Sequence, residues 1–234
     1  MNRISCSGSV LKLIAIITML IDHIGLFLLQ STASGRALTI DVSGTAIPLY
    51  YPMRLIGRMA FPIFCFLLVE GYVHTRNKVK YARNLLLFAL ISEIPWNLVH
   101  TGTLLYGKQN VFFTLFLGLI GMWVIDHFRG NNAKILRYTI ALGILSVLLR
   151  SDYSIWGYTF IILLYMLHHS KHLTTAIGWL VAASRSLSGS ISFIFIYLYN
   201  GRRGFIQGNI GKYFFYIFYP LHLLILYFIR RMYF

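Results

Sequence analysis

The chain has 234 residues, of which 58% are hydrophobic and only 12% charged, where a soluble domain carries roughly a quarter charged residues. That composition excludes an ordinary soluble enzyme and a protein held by one anchor, because the length is taken up by about eight or nine stretches of the ~20 apolar residues that cross a bilayer. Lys and Arg number 21 against 6 Asp and Glu, a net charge of +15. The basic residues fall in short connections between apolar runs, where they set membrane orientation rather than bind nucleic acid.

The first apolar run, Val10–Leu29, is interrupted by Asp22 and His23. It reads as a retained helix and not a cleaved signal peptide, although small residues (Ser31-Thr32-Ala33) follow it. Further spans are expected at Met53–Tyr72, Tyr81–Val99, Val111–His127, Lys134–Leu149 and Ser154–Leu167. The stretch Leu173–Asn200 is broken by Ser184-Arg185-Ser186 and Ser188-Gly189-Ser190 and reads as two short helices or one kinked one; Tyr213–Ile229 is the last span. The fold class is therefore all-α: a polytopic transmembrane helix bundle forming one integral membrane domain over residues 1–234. About nine spans are expected, or eight if 173–200 is a single helix.

Arg76, Lys78, Lys80 and Arg83 form the most basic connection, and Arg129, Lys134 and Arg137 follow in the same frame. With two helices in 173–200, Arg202 and Arg203 join them. The positive-inside rule then puts the N-terminus in the cytoplasm of a bacterial cell, with a multi-pass chain in the cytoplasmic (inner) membrane. The C-terminus, carrying Arg230 and Arg231, falls outside. Cys6 and Cys65 have no metal-ligand spacing, and no metal is expected.

Charges inside spans cost about 2.5–3.5 kcal/mol each if they face lipid, so they turn to the bundle interior and mark candidate sites. Counted by depth, the first three spans bring such groups to one outer layer: Asp22 and His23, then Arg54 and Arg58, then Glu93 and Asn97. The last two pairs are spaced i,i+4 and share a helix face. Pro62 and Pro95 each remove a backbone donor and are expected to open a kink. A buried ion network would account for the same residues without chemistry, Arg58 pairing with Glu93 and Arg54 with Asp22. His222, in Tyr219-Pro220-Leu221-His222, lies in mid-span and faces the interior. Asp126 and His127 read as a helix end in water. Nucleotide-binding loops, H-E-x-x-H and G-x-S-x-G are absent from the sequence, so nothing points to those chemistries.

Several stretches, in order, resemble the TraX family of integral membrane proteins, named for the pilin acetylase of conjugative plasmids. They are Leu11-Lys12-Leu13-Ile14-Ala15 leading to Met19-Leu20-Ile21-Asp22-His23, Gly57-Arg58-Met59-Ala60-Phe61-Pro62, Glu70-Gly71-Tyr72, and Ser92-Glu93-Ile94-Pro95. Asn110-Val111, Tyr199-Asn200-Gly201-Arg202-Arg203-Gly204 and Phe218-Tyr219-Pro220-Leu221-His222 complete the set. The resemblance implies acetylation of a processed pilin subunit at its N-terminus, or of a related surface acceptor, with acetyl-CoA as the donor.

On that reading His23 is the base that takes the acceptor's proton. Asp22, next in sequence, points about 100° away around the helix, so Glu93 or His222 orients the imidazole. Arg58 or Asn97 donates to the oxyanion. Arg76, Lys80, Arg83, Arg202 and Arg203 meet the donor's phosphates, while Arg54 neutralises Asp22 or adds to that cationic set. Membrane lipids and a pilin or other surface acceptor are the expected partners. A small transporter using the buried charges as a proton or anion path, and a non-catalytic pilus or conjugation assembly factor, are the competing readings.

Overall fold

The computed structural model describes residues 5–233. The first helix, α1 (Gly8–Ile24), starts on the Ser7 hydroxyl, which accepts from the Val10 N–H, and runs on as a π-helical turn over Gly25–Gln30. A short α2 (Ala33–Ala37) and an antiparallel hairpin of β1 (Thr39–Val42) and β2 (Thr45–Pro48) lead to α3 (Tyr50–Gly57) and α4 (Ala60–His74). The chain continues through α5 (Lys78–Thr101), α6 (Val111–His127), α7 (Asn132–Leu148), α8 (Ser154–Leu167) and α9 (Lys171–Arg185). Two short helices, α10 (Leu187–Ser190) and α11 (Ser192–Tyr197), precede the long α12 (Gly208–Tyr233). Polar residues at the boundaries start these helices: Asn77, Asn110, Asn131 and Ser170 each accept an N–H of the first turn of the helix that follows.

Three segments among the described residues are long and apolar enough to cross a membrane: Gly8–Gln30, Tyr50–His74 and Tyr213–Tyr233. Val111–His127, Ser154–Leu167 and Leu187–Tyr197 are shorter apolar helices. The break expected in 173–200 is real, and it yields α9 followed by the pair α10–α11.

Hydrogen bonds at the helix ends sort the bundle into two ends. At the first end, Gly8 and Ser9 donate their N–H groups to Arg202 and Arg203 carbonyls at 2.8 and 2.9 Å, and Cys6 donates to Leu198 O at 2.8 Å. The Lys171 ammonium reaches Tyr199 O at 3.3 Å there. Asp126 closes the same end, accepting from the Tyr72 hydroxyl at 2.8 Å, Lys78 Nζ at 2.7 Å and the Tyr165 hydroxyl. It thus ties the ends of α4, α5, α6 and α8 together. The sequence suggested a water-facing helix end for this residue; four apolar helices meeting side by side give its carboxylate tyrosine and lysine donors instead. At the opposite end the Asp152 N–H donates to Gln109 O at 2.8 Å, the Gln109 N–H to Arg150 O at 3.2 Å, and Arg230 Nη1 to Val99 O at 3.0 Å.

Of the two expected kinks, the one at Pro62 coincides with a helix break and the one at Pro95 does not. α5 continues through Pro95 without interruption. In the second segment the helix breaks at Arg58 and Met59, before Pro62. A proline ring clashes with the carbonyl four residues earlier, which here belongs to Arg58. Gly57, just ahead of that break, lies against Asp22 of α1 so closely that a Cβ would overlap the Asp22 side chain.

Candidate active site

α1 carries His23 about 22 Å along its axis from Gly8, in the half of the bundle toward the hairpin. There α12 presents His222, which is 5% exposed. His222 Nδ1 lies 2.7 Å from the Phe218 carbonyl, and its Nε2 lies 2.6 Å from His23 Nδ1. The two rings are nearly coplanar in orientation, 4° apart with centroids at 5.0 Å.

A carbonyl only accepts, so the proton on His222 must sit on Nδ1 when the ring is neutral, leaving Nε2 as an acceptor. His23 then donates from Nδ1, and its lone pair is fixed on Nε2. The helix backbone sets the tautomer of one imidazole, and that imidazole sets the other. A pair wired this way holds a base at a defined atom and can spread an arriving proton over two rings.

Beside this pair, Arg54 Nη1 bonds Asp22 Oδ2 at 2.5 Å. Asp22 Oδ1 is buried and has no hydrogen-bond partner among the described side chains and backbone. Arg58 follows one helical turn after Arg54 and forms no ion pair among the described residues. Its side chain lines a small pocket with Phe61, Tyr153, Trp156, Arg185 and Gly189.

The layer read from the sequence is therefore divided. Glu93 faces neither His23 nor Arg58: it accepts from the Asn110 backbone N–H at 2.9 Å and from the Asn110 amide. Asn110 also donates to Ala89 O at 2.8 Å, so Glu93 and Asn110 form the joint between α5 and α6. Asn97 spends its amide N–H on Leu104 O at 2.7 Å, holding the following loop. Of the two candidates for orienting His23, the geometry provides His222. Arg76, Lys80, Arg83, Arg202 and Arg203 are all exposed at the first end, on the order of 20 Å along α1 from His23.

Sequence reasoning missed Asp152, Tyr153 and Arg185. Asp152 sits in the turn between α7 and α8, where its carboxylate accepts the Tyr153 N–H at 3.1 Å and its carbonyl accepts the Thr114 hydroxyl. Burial pushes its carboxyl up to about 6; the Tyr153 N–H holds it down, the Asp22 charge raises it further, and Lys108 and Arg58 lower it. Tyr153 has φ of +63° and stacks its ring on Phe61 at 3.6 Å. The turn is only a few residues long between two apolar runs, too short to lift its side chains into water, and that was the available signal.

Residues 7–230 match the family described as TraX protein. The chain belongs to the TraX family. Membership and the three long apolar helices mark a membrane protein. A curated relative of this TraX chain is a probable fimbrial assembly protein, FimC of serogroup H1, from Dichelobacter nodosus. It is 29% identical over 96% of each chain. No solved structure matches.

Proposed function

We propose that this TraX-family chain is a membrane-embedded acyltransferase that moves an acetyl group from acetyl-CoA to a pilin-type or related surface acceptor, with His23 as general base. The observation that carries this reading is the chain Phe218 O, His222, His23, which leaves Nε2 of His23 free to accept. As the acceptor's amine or hydroxyl attacks the thioester carbonyl carbon, its proton passes to that nitrogen. The C–S bond then breaks, and the proton returns from His23 to the departing thiolate. Arg58, unpaired among the described residues and beside the Asp22–Arg54 pair, is the donor for the oxyanion. The exposed cations at the first end suit the donor's phosphates, on the cytoplasmic side where acetyl-CoA is made.

In this reading the helices cross the inner membrane nine times, α1 running outward and α10–α11 forming a short eighth crossing. The relative, a probable fimbrial assembly protein, supports a role connected with pili or fimbriae.

The test is transfer of radiolabelled acetyl from acetyl-CoA to surface proteins and glycans in membranes with and without the chain. His23→Ala should abolish the label while the protein still inserts. His222→Leu should lower the rate about 100-fold, the usual scale for a positioned base. His222→Gln keeps an acceptor for the His23 N–H and should recover part of that loss. Unchanged labelling by His23→Ala removes the proposal.

The relative's description also favours a second reading, an assembly factor without catalysis. The buried pairs would then only hold helices, and pili would assemble normally with His23→Gln and no acetylation would depend on the chain.

A further inference from the structure

The face of the bundle formed by α7, α8 and α9 carries an open apolar groove of about 720 Å³, within the ~300–1,000 Å³ of small-ligand sites. Ile140, Gly143, Val147, Ile155, Thr159 and Met166 line it. Along α8 it extends from Ile155 to Met166, about 17 Å at the helical rise, close to half of a ~30 Å hydrocarbon core. That is the depth of one leaflet.

At the Ile155 end the groove meets the small pocket that holds Arg58 and Arg185, with Trp156 belonging to both. The Arg185 guanidinium lies 5.4 Å from the Trp156 ring centre and 5.9 Å from that of Tyr153. Neither arginine has an ion pair among the described residues, and the neighbouring carboxylate of Asp22 is taken by Arg54. An apolar channel one leaflet deep thus ends at two cations held against aromatic rings.

We infer that this face binds one anionic phospholipid, with an acyl chain in the groove and the phosphate at Arg185 and Arg58. A transmembrane helix is the weaker fit, because its apolar face would leave the two cations at the end of the groove without a counter-charge. The head then lies at the end of the bundle that carries the His23–His222 pair, so the lipid belongs to the leaflet facing that site. The inference does not depend on acyl transfer, and its test reads no acetylation.

The full chain would be reconstituted in nanodiscs of phosphatidylcholine doped with phosphatidylglycerol, released into detergent, and weighed intact by native mass spectrometry. The wild type should retain phosphatidylglycerol in preference to phosphatidylcholine. Arg185→Gln should lower that preference about fivefold, the scale of one basic group near a lipid surface. Ile144→Trp, on the exposed wall of the groove, should lower retention of both lipids. Equal retention of the two lipids by the wild type overturns the inference, as does wild-type retention by both variants. A photocrosslinker at Ile144 that captures a protein and no lipid in whole cells overturns it too, in favour of a docked helix.

Discussion

His23 and His222 are separated by 199 positions and meet at hydrogen-bond distance, because α1 and α12 run side by side in the same direction. Each was legible as an imidazole in the middle of an apolar run, and the Asp22–Arg54 pair was legible for the same reason: a charge out of place in a span must find a partner inside. Asp152 follows the opposite logic. A carboxylate in a turn is normally hydrated, yet here α6 and its own turn close around it, and burial raises its folded value to about 6 from an unfolded 3.8. Between those values the folded state holds the proton that the unfolded chain has lost, so stability falls as pH rises from about 4 to 6 and is level above. Asp152→Asn retains an acceptor for the Tyr153 N–H and cannot ionise. Thermal melts in detergent at a series of pH values should therefore show the variant losing less stability across that window. The difference should be about 1–2 kcal/mol, reduced from the full linkage value because the side chain keeps some contact with solvent. Parallel pH profiles for the two proteins would show that Asp152 is ionised in the fold. The short turn was the one local signal; the residue escaped sequence reading because which helices close over the carboxylate is set by packing between distant segments.

The helix positions followed directly from the apolar runs, and α6 and α8 begin and end where those runs do. What the runs did not convey is how neighbouring helices are joined. Glu93 and Asn97 share a face of α5, and their spacing suggested one polar layer with Arg58; instead Glu93 accepts from Asn110 and the Asn97 amide N–H donates to Leu104 O, both in the connection that follows α5. Asn110 is the centre of that connection. Its side chain is fully buried, accepts from Phe112 N at 3.0 Å, and donates to Ala89 O and Glu93. Asn110→Ala leaves the first turn of α6 without its cap and strands acceptors on α5. The expected loss is about 3 kcal/mol, combining a cap with an unsatisfied buried group, and it would be read as a lowered midpoint in detergent unfolding. Asn110→Asp distinguishes this joint from a simple cap. It preserves the capping oxygen but sets a second carboxylate against Glu93, so it should restore little of the stability at neutral pH. A full rescue by Asp would mean that only the cap matters. Pro62 teaches the same lesson in the second segment: its effect falls four residues upstream, on Arg58, and separates α3 from α4 beside the candidate site.

At the scale of the whole molecule, the helices alternate between two chemically different ends. Most of the exposed cations of the connections, including Arg76, Lys80, Arg83, Arg202 and Arg203, collect at the end where residues 5–9 meet the 198–206 loop. The other end holds the hairpin and Arg230. Lys171 touching Tyr199 shows that the chain leaves and returns to the first end between α9 and α11, which a single helix over 173–200 would not allow. If the positive-inside rule governs this bundle, the first end is cytoplasmic and the last helix finishes outside. Single cysteines at exposed positions test this, because Cys6 and Cys65 are both buried. Leu105→Cys, Leu187→Cys and Met232→Cys replace exposed side chains at the second end, and Gln207→Cys replaces one at the first. A membrane-impermeant maleimide applied to intact spheroplasts should label the first three and spare Gln207→Cys until the membrane is opened. Labelling of Leu105→Cys without Met232→Cys would put the last helix in the opposite direction and count the crossings as even. Labelling of Gln207→Cys alone would invert the whole bundle, moving the cations to the side that lacks acetyl-CoA and removing the electrostatic support for the proposed donor.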